Sequence, residues 1–272
     1  MFPADSYIHR TDSLMKYARI DVSGTTHWAT VHDNTFTLLE GSPFDGARAT
    51  GRQVSADEVR LLAPVVPSKI FCLGRNYADH RAEMRYQHDD SPSVFMKGPS
   101  TIIGPGDNIV LPPTHLSTHV EHEAELAIVI GKTARNVAAA NAHDYILGFT
   151  CANDVSARDL QRTDPHPTRA KGFDTFCPVG PWVDTEVNPT AGIRLRCSVN
   201  GVLHQDGSTA DMAYGIGYLI EYLTGFATLH PGDLILTGSP GGTQSLHPGD
   251  TVDVHIEGIG TLTNGVVSAG QL

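Results

Sequence analysis

From Met15 onward, apolar and polar residues alternate with a period of two. KYARIDV, HWATVHD and TFTLLE read as short strands, separated by polar turns at Ser23-Gly24 and Asp33-Asn34. Residues 41–66 are rich in Gly and Pro and read as irregular, with a short turn of helix at SADEVRLL. Beyond Pro67 the strand pattern resumes in KIFCLG, SVFMKG, NIVLP, HEAELAIVIG, ILGFTCAND, RLRCSVNG, LILTG and TVDVHIEG. Three of these follow a Pro-Gly-Asp turn, at residues 105–107, 231–233 and 248–250. There Pro presets φ and Gly supplies the positive φ that lets the next strand begin. Asn200-Gly201 is the strongest hairpin signal.

Helical periodicity is scarce. TADMAYGIGYLIEYLTGF predicts one helix capped by Thr209, and NYADHRAEM a short one opened by Asn76. Strands do not alternate regularly with helices, which argues against a doubly wound parallel sheet. The expected class is mainly β (α+β): a mostly antiparallel β-sandwich or roll with few peripheral helices. A boundary near Pro67 would separate a small β-rich N-terminal domain (15–66) from a larger domain (67–272). Residues 1–14 read as a loose leader, since MFPADSYIHRTDSL lacks the apolar core of a signal peptide.

Composition narrows the function classes. With 40% hydrophobic and 18% charged residues among 272, the chain can build a core, and disorder is excluded as its main state. A net charge of −11 without any Lys/Arg cluster excludes nucleic acid and anionic membrane surfaces as partners. No apolar run approaches the length of a membrane-spanning helix. Cys72, Cys151, Cys177 and Cys197 are widely spaced without a CxxC, which suits reduced thiols in a cytoplasmic enzyme. HExxH, GxSxG and Walker motifs are absent, and no GxGxxG follows a strand.

The densest carboxylate cluster is Glu121-His122-Glu123-Ala124-Glu125, running into an apolar stretch. On a strand the three glutamates share one face. That face is either a solvated strand end or a divalent-metal site, because hard cations take oxygen ligands. Asp154, at the end of another apolar strand, either caps a following helix, as Ser156 would, or completes a three-carboxylate set. His80 and Glu83 lie three apart on the expected short helix. They are a surface pair or a carboxylate-oriented imidazole acting as a base. Lys171, among small and apolar neighbours, either snorkels or binds a substrate anion. Thr237 ends an apolar strand just before a Gly/Pro turn.

GRNYADHRAEM, FMKGPSTIIGPGDNIVLP, EHEAELAIVIGK, YILGFTCANDVSARDLQ, TRAKGFDTFCPVGPW and LILTGSP, taken in order, resemble the fumarylacetoacetate hydrolase family. Residues 15–66 look like the small N-terminal domain of its bacterial two-domain members. The resemblance implies a β-rich catalytic roll, a homodimer, and Mg²⁺ or Mn²⁺ on Glu123, Glu125 and Asp154. It assigns His80 and Glu83 as a lid dyad, Lys171 as the catalytic lysine, and Gln161 and Thr237 to the substrate's carboxylate end. Arg75 receives a minor binding role, and Glu121 is left outside the ligand set.

Two departures fall where substrate should touch: Pro167 stands where many relatives have an aromatic residue, and the usual TGTP reads Thr237-Gly238-Ser239-Pro240. The implied partner is a small anionic 2-oxo acid. The implied reaction is C–C hydrolysis of a 2,4-dioxo acid through an enolate, with isomerisation or decarboxylation as alternatives. A retaining glycosidase using Glu121 and Glu125 ranks lower, because 7% aromatics and two Trp supply few sugar platforms.

Overall fold

The computed structural model describes residues 15–77 and 91–270. The expected leader, residues 1–14, and the expected helix carrying His80 and Glu83 lie outside the described residues. Strands hold 46% of the described residues and helices 16%, the mainly β class that the alternation predicts.

Strands β1 (Lys16–Val22), β2 (Thr25–His32) and β3 (Thr35–Glu40) form a meander. Its two turns have positive φ at Ser23, Gly24, Asp33 and Asn34, the geometry that matches the twist of paired strands. Residues 41–66 are less irregular than expected. β4 (Arg48–Ser55) pairs with β3. Its sequence RATGRQVS is mostly exposed, so cross-strand hydrogen bonding forms it without an apolar alternation to announce it. Within SADEVRLL, Ala56–Glu58 form one 3-10 turn closed by a Ser55/Glu58 capping box, and Arg60–Leu62 return to pair with β1.

The remaining strands are β5 (Ile70–Gly74), β6 (Ser93–Lys97), β7 (Asn108–Leu111), β8 (Ala124–Ile130), β9 (Ile146–Asn153) and β10 (Cys177–Asp184). They continue with β11 (Arg194–Val199), β12 (Val202–Ser208), β13 (Leu234–Leu236), β14 (Thr251–Ile256) and β15 (Gly260–Ser268). The large sheet runs β4-β3-β2-β1-β10-β9-β8-β13-β5-β6, and a second runs β12-β11-β14-β15-β7. Most pairs are antiparallel, while β13–β5 and β15–β7 are parallel.

β8 is buried at every position. Leu126 and Ile128 belong to one core with Leu195, Cys197, Val252 and Val254 of the second sheet. Ala127 and Val129 belong to another with Ile70, Cys72, Leu234 and Leu236. Burial on both faces is why LAIVI, residues 126–130, reads as an unbroken apolar run. The four cysteines are buried and free. Among the described residues no helix is long and apolar enough to cross a membrane.

Among the described residues three short α-helices decorate the sheets: α1 (Arg158–Thr163), α2 (Thr168–Lys171) and α3 (Ile216–Phe226). The α3 helix starts later than its periodicity predicts. Thr209–Asp211 form a separate 3-10 turn, capped by Ser208 and not by Thr209, and Gly215 precedes the helix proper. Met212 instead bridges to Tyr77. Neither Asp154 nor Ser156 caps α1, which is preceded by Ala157 and has no side-chain cap. The Ser156 hydroxyl donates back to the Asp154 carbonyl.

The three Pro-Gly-Asp turns share one construction. Each Asp N–H donates to the carbonyl three residues back, at Gly104, His230 and His247. Each Asp carboxylate accepts the N–H of that same residue, at 2.9, 2.7 and 2.7 Å. Asp233 does more. It also accepts from the Ser68 and Lys69 N–H groups, the Ser68 hydroxyl and the Lys69 ammonium, which anchors the start of β5 beside β13.

Burial alone would raise the Asp233 carboxyl, but the hydrogen bonds from Lys69, His230 and Ser68 outweigh it and hold its pKa below the ordinary value. Asp233→Asn should therefore destabilise the protein by about 2 kcal/mol near neutral pH. A depressed folded pKa gives stability that is present above the unfolded value, about 3.9, and lost as pH falls through the folded one. Urea unfolding of both proteins at neutral pH and below pH ~3.9 should show the gap closing in acid; a gap independent of pH would contradict this account.

Candidate active site

β8 and β9 run antiparallel, with Ala124 opposite Asn153 and Glu125 opposite Ala152. The pairing continues one step past the strand ends. The Asp154 N–H donates to the Glu123 carbonyl at 2.9 Å, and the Glu123 N–H donates to the Asn153 side chain at 2.9 Å. Glu123 and Asp154 thus become cross-strand neighbours, and Glu125 follows two residues along. Carboxylate oxygens of all three lie within 4.8 Å of one another, and all three residues are buried.

Glu121 does not continue that face. Val120–Glu121 pair with Ser156–Ala157 in a separate two-stranded ladder, and His122-Glu123 interrupt the run before β8. Its carboxylate accepts from Arg158 Nε at 2.7 Å and from the Thr243 hydroxyl at 2.7 Å, and pairs with His119.

Three buried cations offset the acids. Lys171 Nζ lies 2.7 Å from Glu123 Oε2 and 2.6 Å from Asp154 Oδ2. Lys97 Nζ lies 2.5 Å from the other Asp154 oxygen and donates to the Val155 carbonyl. Arg158 Nη1 lies 2.6 Å from Glu123 Oε1. Glu121, Glu123, Glu125 and Asp154 outnumber Lys97, Lys171 and Arg158 by one, and the surplus charge falls on Glu125. Among the described residues Glu125 has no ion pair, and its Oε2 accepts the Gly238 N–H at 2.6 Å. That approach requires glycine. Gly238 has a φ of +99°, and a Cβ there would lie 2.8 Å from the Asn76 Cβ.

The charges perturb one another. Burial first, then the charges of Asp154 and Glu123, push the Glu125 carboxyl well above the usual carboxylate range. Burial would lower the Lys171 ammonium, but Asp154 and Glu123 reverse it and hold it above the ordinary lysine value. Three buried carboxylate donors with surplus negative charge fit a hard divalent cation that prefers oxygen.

A cavity of about 190 Å³ opens over the trio. Lys171 and Ser239 line it beside the carboxylates, Leu73 and Phe95 form an apolar wall, and Arg75, Gln161 and His166 also face it. The Lys171 ammonium lies 5.0 Å from the centroid of the Phe95 ring. Gln161 Oε1 accepts from Arg158 Nη1 at 2.8 Å, which leaves its NH₂ for the cavity.

The structure therefore brings together Glu123, Glu125, Asp154, Lys171, Arg75 and Gln161. Thr237 is not on the wall. Its hydroxyl donates to the Leu126 carbonyl, clamping β13 to β8, and Ser239 takes the wall position instead. His80 and Glu83 lie outside the described residues. Lys97 and Arg158 escaped the sequence reading as site residues, while Ser239 entered it only as a departure in the Thr237–Pro240 turn. The available signal was Lys97 following the apolar Val94-Phe95-Met96, while Arg158, beside Asp159 and Gln161, gave none.

Residues 69–267 match the family described as "Fumarylacetoacetate (FAA) hydrolase C-terminal", and residues 15–64 match "Rv2993c-like, N-terminal". The chain is 50% identical over 231 residues to protein Rv2993c of Mycobacterium tuberculosis, covering 84% of this chain and 86% of the relative. It is 43% identical to oxaloacetate tautomerase FAHD2B of Bos taurus over 222 residues, covering 77% and 70%. A solved structure of 2-hydroxyhepta-2,4-diene-1,7-dioate isomerase from Mycobacterium marinum superposes with a TM-score of 0.87 at 44% identity, covering 94% of this chain and all of that one.

The surplus charge on Glu125 yields a prediction. Glu125→Gln removes the repulsion but keeps an oxygen to accept the Gly238 N–H. In the metal-free protein it should raise the melting temperature by roughly 2–4 °C, from about 1 kcal/mol of relief. The same change should abolish the additional stabilisation that Mn²⁺ gives the wild type. Thermal melts with and without Mn²⁺ measure both effects, and a variant that still gains from Mn²⁺ as the wild type does would remove Glu125 from the ligand set.

Proposed function

This chain belongs to the fumarylacetoacetate hydrolase family, and from that premise we propose that it is a divalent-metal-dependent enzyme interconverting the enol and keto forms of a short 2-oxo acid. The observation that carries this reading is the Lys171 ammonium, which contacts two of three clustered carboxylates on the wall of the cavity. Mg²⁺ or Mn²⁺ held by Glu123, Glu125 and Asp154 supplies, when bound, Lewis-acid stabilisation of negative charge on a substrate oxygen.

Lys171 is held in its charged form by its two carboxylate partners. It therefore serves as a hydrogen-bond donor and fixed positive charge toward a developing enolate, and not as the base that removes a proton. Gln161, fixed by Arg158, offers its NH₂ to the substrate carboxylate, and Arg75 adds a positive charge to the cavity lining. The proton at the substrate carbon is assigned to His80, oriented by Glu83, on sequence grounds. The names tautomerase and isomerase, carried by two of the relatives, both denote rearrangement without cleavage. A homodimer, implied by the same resemblance, is part of this proposal.

A second reading is C–C hydrolysis of an acylpyruvate or fumarylpyruvate. It is favoured by the His80/Glu83 spacing, which suits activation of water. Hydroxide would add to the distal carbonyl and the pyruvate enolate would leave.

Oxaloacetate provides the test, through loss of its enol absorbance in the presence of Mg²⁺. Chelation should abolish catalysis, and Lys171→Met should lower kcat roughly 10²- to 10³-fold at undiminished Mn²⁺ affinity. Catalysis indifferent to chelator would overturn the proposal. Release of pyruvate from an acylpyruvate, lost in His80→Ala while Mn²⁺ still binds, would select hydrolysis.

A further inference from the structure

Gln205, on β12, lies 80 residues or more in sequence from Glu123 and Glu125, yet its side chain joins Ala124, the residue between them, to Ser239 on the cavity wall. It is fully buried. Its Oε1 accepts the Ala124 N–H at 2.9 Å, and Ala124 is the residue between Glu123 and Glu125. Its Nε2 donates to the Pro240 carbonyl at 2.7 Å and to the Ser239 hydroxyl oxygen at 2.8 Å.

The amide can sit in only one orientation. A backbone N–H only donates and a backbone carbonyl only accepts, so Oε1 must face Ala124 and Nε2 must face Pro240. His122 Nδ1, 2.9 Å from the same Oε1, must then be the donor in that contact. The same logic fixes Ser239. Its oxygen accepts from Gln205, so its single proton points elsewhere. Among the described residues its one bond as donor is a long one, to the Pro240 carbonyl at 3.4 Å, an oxygen that already accepts the shorter Gln205 bond. Ser239 lines the cavity, so a ligand oxygen there can draw the proton away from that long contact.

We infer that Gln205 is a positioning residue: its amide, by donating to the Ser239 oxygen, turns that hydroxyl into a donor available to the cavity and sets the distance between it and the metal-holding carboxylates. The inference rests on the proposed function and deepens it. It assigns the cavity an oxyanion-bearing ligand whose oxygen meets Ser239.

Gln205→Glu keeps an acceptor for Ala124 and His122 but replaces the NH₂, so the Ser239 proton turns toward the new carboxyl group. The test uses Mn²⁺ and then oxalate, a planar dianion shaped like the enolate of a 2-oxo acid, in calorimetric titrations of the full chain. Wild type, Gln205→Glu, Ser239→Ala and the double variant are compared. Each single variant should bind Mn²⁺ as the wild type does and bind oxalate roughly tenfold more weakly. The double variant should also be weaker by roughly tenfold and not a hundredfold, because both changes remove the same donor.

Additive losses, or wild-type oxalate affinity in either single variant, would overturn the inference. Ser239→Ala decides the point even if Gln205→Glu does not fold. Wild-type protein that binds Mn²⁺ but no oxalate also overturns it. Failure of the wild type to bind Mn²⁺ strikes the proposed function itself.

Discussion

Mutual repulsion among Glu123, Glu125 and Asp154, brought within 4.8 Å and out of water, is the constraint to which the surrounding structure answers. Left alone, such a cluster would protonate or push the strands apart. Lys97, Lys171 and Arg158 come from three separate segments to oppose it, and each makes contacts shorter than 3 Å with one or two of the acids. The cancellation is incomplete at Glu125. A strand buried on both faces and a glycine turn with no room for a side chain keep that carboxylate in place. The apolar cores therefore hold the charged trio together as well as stabilising the fold.

One basic group does several tasks. The Arg158 guanidinium meets Glu121, Glu123 and Gln161, so it couples the trio, the residue excluded from it, and the amide that faces the cavity. Lys97 and Lys171 take different oxygens of Asp154, which fixes the plane of that carboxylate. Preorganisation of this kind lets a small site act on developing charge without rearranging at the moment of reaction.

Much of this was legible beforehand because it is local. Alternation marked the meander, Asn200-Gly201 marked the β11–β12 hairpin, and the Pro-Gly-Asp turns marked the starts of β7, β13 and β14. The carboxylates stood out as acids abutting apolar runs. What was not legible depends on contacts distant in sequence. Lys97 meets Asp154 across 57 residues, and Gln205 meets Ala124 across 81, with no periodicity linking them. β4 was missed because an exposed polar strand shows itself only through its partner. The late start of α3 reflects a competing local bond, the Ser208 cap of a 3-10 turn, that apolar spacing does not report. Thr237 and Ser239 exchanged roles because both flank a turn whose direction the sequence leaves open.

The seam between β1 and β10 has a different consequence. Only Lys16 opposite Asp184 and Tyr17 opposite Val183 are in register there, while Ala18, Ile20, Ala29, Phe36, Leu38 and Val54 form a core of their own. A unit with its own interior and so short a join behaves as a cassette. Drift can reshape its outer surface while β10 stands between it and β9, the strand that leads to Asp154. Selection on that surface can then proceed at one end of the sheet while selection on turnover acts at its centre.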